Sequence, residues 1–352
     1  MDCATPPIPM GASGGQALLS VRGLKTYFPQ DEGTVRAVDG VTFDLHPGGT
    51  LGIVGESGCG KSVTARSILR IVDRPGRIMA GEIHFRRRAV AGRTEAERTI
   101  DLATLDPDGP EIRAIRGAEI ALIFQEPMSS FSPVHTIGDQ IGEAIVLHQG
   151  LDRRQALAKT IEMLQRVGVS TPVERVRQLA SQLSGGLRQR AMIAMALSCH
   201  PTLLIADEPT TALDVTTQRQ ILRLMRHLQD EDGMAIMLIT HDLGVVAEMC
   251  RDVAVMYLGR VVEQAPVDDI FHAPRHPYTK ALLRSIPRIR SGARARLTPI
   301  EGSVPHPYSR PSGCPFHPRC ESFMAGRCDR QEPSLRPVGD RHAVSCFLYE
   351  DP

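Results

Sequence analysis

The stretch Gly55-Glu56-Ser57-Gly58-Cys59-Gly60-Lys61-Ser62 constrains this chain more than any other. It fits the pattern G-x-x-x-x-G-K-[ST]. An apolar run, Leu51 to Val54, leads into it, and a helix-compatible run, Val63 to Ile71, leads out. Strand, glycine loop, helix is the setting in which successive backbone N–H groups face one concavity and a helix adds the positive end of its dipole. The backbone from Gly55 to Val63 can then cradle phosphates. Lys61 reaches the β and γ phosphates, and the Ser62 hydroxyl holds Mg²⁺. Because such a loop works through backbone N–H groups, Cys59 reads as a small residue at a variable position.

A length of 352 residues suggests two domains, or one large domain with an appendage. Lys and Arg total 41 against 40 Asp and Glu, so charge gives no argument for a nucleic-acid partner. No apolar run approaches the length needed to span a bilayer. The N-terminus lacks a basic region followed by an apolar core, so it does not read as a secretory signal. A soluble cytoplasmic chain is expected, one that can still dock on a membrane protein. Residues 1–16 are rich in Pro, Gly and Ala and are expected to be disordered.

The chain then reads as strands alternating with helices. Ala17 to Val21 is a short strand, with Tyr27 and Phe28 after it, and Val35 to Leu45 alternates at period two. An aromatic beside such a sheet can stack on a purine base; Phe28 is the choice, Tyr27 the competitor, and packing on the core the plainer alternative. Residues 86–118 are charged and read as a surface insertion. Apolar residues recur at helical spacing from Ile137 to Gly168, including Leu157 and Ile161. Four apolar runs end in polar residues: Ile120 to Phe124 before Gln125, Thr202 to Ala206 before Asp207 and Glu208, Met234 to Thr240 before His241, and the run into the glycine loop itself. An α/β domain with its site at the carboxyl ends of the strands follows. Leu183-Ser184-Gly185-Gly186 opens a helix, with Ser184 suited to its N-cap.

Nucleoside triphosphate hydrolysis needs a phosphate cradle, metal ligands, a group that polarises water and a γ-phosphate sensor. Ser62, Gln125 and Asp207 suit Mg²⁺. Glu208 suits the water-polarising role, Gln125 can touch both the metal and that water, and His241 suits the sensor.

The order Gly55–Ser62, Gln125, Leu183–Gly186, Leu204–Pro209, Ala212–Asp214, His241 resembles the complete motif set of an ABC transporter nucleotide-binding subunit, over residues 17–264. The resemblance implies a P-loop NTPase of ABC type: a RecA-like α/β core, an antiparallel β subdomain and a helical signature subdomain at about residues 126–200. It also implies two ATPase subunits closing head to tail, so that Ser184, Gly185 and Gly186 act on the partner's ATP. Asp214 would link the two sites. Leu187 departs from the commoner glutamine and, with Arg188-Gln189-Arg190, is similar to the peptide-importer branch.

From residue 265 composition shifts to Pro, Arg and His, in a loop-rich tail with one helix expected at Thr279 to Ser285. His276-Pro277-Tyr278 and Gly313 to Cys320 resemble the C-terminal extension of oligopeptide/dipeptide importer ATPases. Cys314, Cys320, Cys328 and Cys346 are separated by five, seven and seventeen residues, unlike the paired knuckles of a usual zinc site. Four thiolates can hold an iron–sulfur cluster, and the resemblance implies [4Fe–4S], with zinc as the alternative. It further implies a second ATPase, identical or a paralogue, two transmembrane permease subunits, an extracytoplasmic substrate-binding protein, and a peripheral place on the cytoplasmic face of the membrane. Peptides are the expected cargo; nickel or heme import, or a soluble ABC ATPase acting on ribosomes or nucleic acid, are the alternatives.

Overall fold

Strand pairing in the computed structural model follows the alternation in the sequence, with more regular structure in the tail than composition suggests. Residues 16–87, 97–125, 130–211, 213–285 and 300–350 are described. The expected disordered segment up to residue 15, the loop at 126–129 and Ala212 lie outside them. The strands are β1 Leu19–Gln30, β2 Gly33–Leu45, β3 Thr50–Val54, β4 Arg77–Arg87, β5 Arg98–Asp101, β6 Ile120–Ile123, β7 Leu203–Asp207, β8 Ala235–Thr240, β9 Asp252–Tyr257, β10 Arg260–Pro266, β11 Arg336–Gly339 and β12 His342–Val344. Two compact units result. One comprises residues 1–46, 50–104 and 240–352, the other 47–49 and 105–239.

In the first unit β2, β1, β4 and β5 form an antiparallel sheet in that order. β1 is longer than the expected Ala17–Val21 strand and carries Tyr27 and Phe28 within it. Its register shifts between Val21 and Leu24 and again near Tyr27 let the twelve-residue strand keep pairing with β2. The segment read as a surface insertion is a correction: Leu102 in this unit, and Ile112 and Ile115 in the second, are fully buried, because charges frame a short strand and two short helical turns that still contribute core. β3 pairs parallel with β9, and β9 continues antiparallel to β10. The composition change near residue 265 falls inside β10. β12 and β11 extend from β10's other edge, two strands the loop-like tail sequence concealed. Where one tail helix was expected, the described residues hold two α-helices, Val267–His272 and Pro277–Arg284.

In the second unit β6, β7 and β8 are parallel neighbours. Every residue of β7 and β8 is buried, which explains their unbroken apolar runs. The helical stretch resolves into Ile137–Gln149 and Arg153–Arg166, each opened by a capping box, at Thr136 with Asp139 and at Asp152 with Gln155. The inner face of the second is Ala156, Thr160, Met163 and Leu164. Leu157 is exposed.

Candidate nucleotide site

In the first unit β3 delivers the glycine loop to the helix Lys61–Ile68, whose N-cap Gly60 lies at φ 100°. A β-carbon on Gly60 would sit 2.1 Å from the Ala37 carbonyl oxygen, and one on Gly55 2.2 Å from that of Met256. Neither position has room for a side chain. The loop is tied to the β9–β10 turn, where the Gly259 N–H donates to the Cys59 carbonyl at 2.9 Å. Lys61 is buried, and its Nζ donates to the Gly55 and Glu56 carbonyls at 2.8 and 3.0 Å. The Cys59 thiol is buried as well, and burial pushes its pKa up against the nearby Lys61 charge. A small, protonated filler is what its place in the loop calls for. Ser57 and Gly58 are exposed; Ser62 and Val63 are half-buried. His241, exposed, follows Thr240, whose hydroxyl accepts from the Asp242 N–H at 3.0 Å; Asp242 in turn caps the helix Leu243–Met249.

The two aromatics of β1 are both engaged. The Tyr27 hydroxyl donates to Asp39 at 2.6 Å; burial and this partner push its pKa up to about 12. The Phe28 ring is half-buried and lies against Gly76. A cavity of about 550 Å³ opens beside Gly58, lined by Arg36 and Ala37 of β2 and by His306 and Tyr308 of the tail.

In the second unit β7 ends at buried Asp207, and Glu208 follows at φ 48°. A left-handed glutamate costs on the order of 1 kcal/mol and turns the chain sharply where the side chain must leave the strand line. Glu208 Oε2 accepts from Gln125 Nε2 at 3.1 Å and from the Thr211 hydroxyl at 2.9 Å. Glu208 and Gln125, named from separate strand ends, are therefore brought into direct contact.

The signature helix runs Gly185–Leu197. Ser184 is at its N-cap with extended backbone, but its hydroxyl makes no capping bond; Ser184 and Gly185 are exposed. A β-carbon on Gly186 would meet Thr217 at 3.1 Å. Gln189, behind the signature, donates to the Pro209 carbonyl next to Glu208. Asp214 caps the helix Val215–Asp232, accepting from the Thr216 and Thr217 N–H groups at 3.0 Å each and from the Thr217 hydroxyl at 2.6 Å. These bonds, Thr217's first, hold its carboxyl below the usual range. The capping role escaped the sequence reading, although Asp before a helical run signals it.

Residues 38–211 match the ABC transporter family and residues 262–328 match the oligopeptide/dipeptide transporter C-terminal region. A Brucella ovis protein named as a peptide import ATP-binding protein is 48% identical over 342 residues, covering 96% of this chain and 98% of that one. The dipeptide transport ATP-binding protein DppD of Escherichia coli is 45% identical, over 95% of this chain and 98% of its own length. The chain belongs to the oligopeptide/dipeptide ABC transporter ATP-binding family. A dimeric ATP-binding cassette solved in a post-hydrolysis state with ADP and Pi shares the fold: TM-score 0.60 and 24% identity, covering 71% of this chain and 98% of that one. This is the ABC-type P-loop NTPase fold, and the family hydrolyses ATP.

The family extension packs through aromatic rings. Tyr278 and Phe316 meet Tyr257 of β9 at centroid distances of 4.7 and 5.3 Å. From this cluster Tyr278 and Arg319 reach Glu56 of the glycine loop, contacts that no sequence spacing reveals. The four tail cysteines are free thiols. Burial pushes Cys314 up to about 12 and Cys346 to about 11; both also feel the charges of Cys320 and Cys328. They are neighbours, then. Yet among the described residues no group of three or more His, Cys, Asp or Glu side chains could hold a metal ion. Burial raises the pKa of Cys314, Cys320 and Cys346 and so favours the protonated thiol, a poorer metal donor than the thiolate. Their chemistry as a donor set still suits a soft metal or cluster.

Proposed function

We propose that this protein is the ATP-hydrolysing subunit of a peptide importer. The observation that carries the proposal is the pairing of an intact hydrolytic strand end, Gln125 on Glu208, with an extension matching the oligopeptide/dipeptide transporter region. The glycine loop and Lys61 bind the ATP phosphates, and Ser62, Gln125 and Asp207 are assigned to Mg²⁺. Phe28 is assigned to the base, Glu208 to polarising the attacking water and His241 to the γ-phosphate. Ser184, Gly185 and Gly186 serve the ATP of a second ATPase subunit, and Asp214 belongs to the same dimer interface.

The reading includes two permease subunits and an extracytoplasmic binding protein, with this chain on the cytoplasmic face. Among the described residues no helix is long and apolar enough to cross a membrane. Permease docking is supported by a groove of about 830 Å³ between the helices Ile137–Gln149, Arg153–Arg166 and Pro172–Arg175. Val146, Leu147, Leu157 and Val173 line it and are exposed, an apolar patch of the kind that marks an interaction surface. Co-purification with the permeases, reconstitution into proteoliposomes and measurement of ATP-dependent uptake test the proposal. Dipeptide or oligopeptide uptake is expected. Uptake of nickel or heme without peptide, or recovery of the chain on ribosomes, would overturn it.

We further infer that Cys314, Cys320, Cys328 and Cys346 hold a [4Fe–4S] cluster, with zinc as the alternative. The support is chemical: four free, partly or fully buried thiols that sense one another need a positively charged partner before they can ionise together. Anaerobically purified protein should be brown and carry about four irons per chain, as a four-thiolate cluster requires. Colourless protein with one zinc per chain would assign the site to zinc.

A further inference from the structure

Every polar group of Glu56, the first variable residue of the glycine loop, is committed. Its N–H donates to the Tyr278 hydroxyl at 2.9 Å. Its carbonyl accepts from Lys61 Nζ at 3.0 Å. Its carboxylate receives both terminal nitrogens of Arg319, at 2.8 and 3.0 Å. Two of these three partners belong to the C-terminal extension. The loop that meets the nucleotide is thus held from outside the cassette.

The anchor for this hold is rigid. The Arg319 side chain is 3% exposed. Its guanidinium lies 5.9 Å from the Tyr257 ring centroid and 6.0 Å from that of Phe316, and its Nε donates to the Glu301 carbonyl at 3.1 Å. The bond to Glu56 raises its already high pKa, outweighing burial. Tyr278 leaves the helix Pro277–Arg284 one residue past its start. It is fully buried, and its pKa is raised by burial, so its hydroxyl stays neutral and able to accept. A bidentate pair fixes orientation as well as distance.

The electrostatic consequence follows from where Glu56 sits. A loop that binds a polyphosphate carries a carboxylate, which by itself would repel its ligand. Arg319 cancels that charge and, with Tyr278, fixes the peptide between Gly55 and Glu56. We propose that Arg319 and Tyr278 are positioning residues for the nucleotide loop, so that the importer extension sets the cassette's affinity for ATP. The inference rests on the ATP-binding role proposed above.

The test is MgATP binding and steady-state hydrolysis by the full-length chain. Arg319→Ala is expected to weaken binding and raise KM about tenfold, as loss of a partly buried ion pair does, with kcat at saturation changed less than about twofold. Damage to folding alone would lower the active fraction and leave KM unmoved. Adding Glu56→Gln to Arg319→Ala removes the uncancelled charge and should restore binding to within about threefold of wild type. Arg284→Ala breaks the exposed pair between Arg284 and Glu321 on the same extension and should leave KM unchanged. A wild-type KM in Arg319→Ala, no recovery in the double variant, or an equal loss in Arg284→Ala would each overturn the inference. Wild-type protein that binds no MgATP would instead remove the proposed function.

Discussion

Gln125 Nε2 rests 3.1 Å from Glu208 Oε2, and the Thr211 hydroxyl shares the same oxygen at 2.9 Å. Two donors on one oxygen orient the carboxylate. Replacing Glu208 with Gln keeps the shape and removes the base. Hydrolysis should fall by a factor of about 10² to 10⁴ while MgATP binding persists, the usual scale for a general base. Turnover assays with nucleotide retention on a filter check this; unchanged turnover would take Glu208 out of the catalytic role.

Gly60 supplies the turn that starts the helix Lys61–Ile68 proposed to bind phosphate, at φ 100° and with the Ala37 carbonyl 2.1 Å from where a β-carbon would go. Gly60→Ala must move backbone against backbone. A loss of about 2 kcal/mol or more and no measurable ATP binding are expected. Thermal melts with and without MgATP would show both effects.

His276 carries a pH dependence. Its Nδ1 accepts from the Tyr278 N–H at 3.0 Å, capping the helix that presents Tyr278. Complete burial lowers its pKa from 6.5 to about 4. The unfolded chain therefore binds more protons between these values. The stabilisation is full above pH 6.5 and drains away as pH falls toward 4, roughly 3 kcal/mol in all. His276→Asn keeps a capping oxygen without the titration. Chemical denaturation across this window should give a flatter profile for the variant, and parallel profiles would refute the assignment.

Glu263 of β10 is fully buried and accepts from the Arg275 and His276 N–H groups at 2.6 and 2.9 Å, with His342 Nε2 at 2.8 Å. Burial pushes its pKa up, but these partners win and hold it below the usual carboxylate range. Its contribution is thus fully present at neutral pH and is lost as pH falls below the usual carboxylate range. Glu263→Ala should cost about 3 to 5 kcal/mol, since it strands buried donors. Limited proteolysis should then release the tail, starting near Arg275. A protease-resistant tail would refute this.

Leu147 is 73% exposed at the rim of the helical groove. Leu147→Asp should leave the ATPase of the free subunit and its melting temperature unchanged, and reduce co-purification with the permease subunits. Undiminished recovery of the complex would place the docking surface elsewhere.

Much of the site was legible because its chemistry depends on local order. A glycine loop between a strand and a helix, an acidic pair after an apolar run, and a signature before a helix each carry their meaning within a few residues. Residues 202–206 read as buried strand because parallel strands are near-continuous apolar runs, and the observed strand is Leu203–Asp207. Charge alone misread residues 86–118, where among the described residues Leu102, Ile112 and Ile115 are fully buried. Helical spacing placed Leu157 in the series without saying which face is covered, and its side chain is exposed.

Sequence order by itself determined the glycine loop, the acidic pair after an apolar run and the family extension, since each is a short pattern within a few residues. Tertiary structure alone decided what Glu56 means. Nothing in the spacing from 56 to 278 and 319 announces that the three will meet. They meet because β10, β12 and the rings of Tyr257, Tyr278 and Phe316 fold the tail back against β9 and the glycine loop. The glycine loop that opened the reading is therefore a loop with a fixed neighbour: its first variable residue is neutralised and oriented by an arginine 263 positions away.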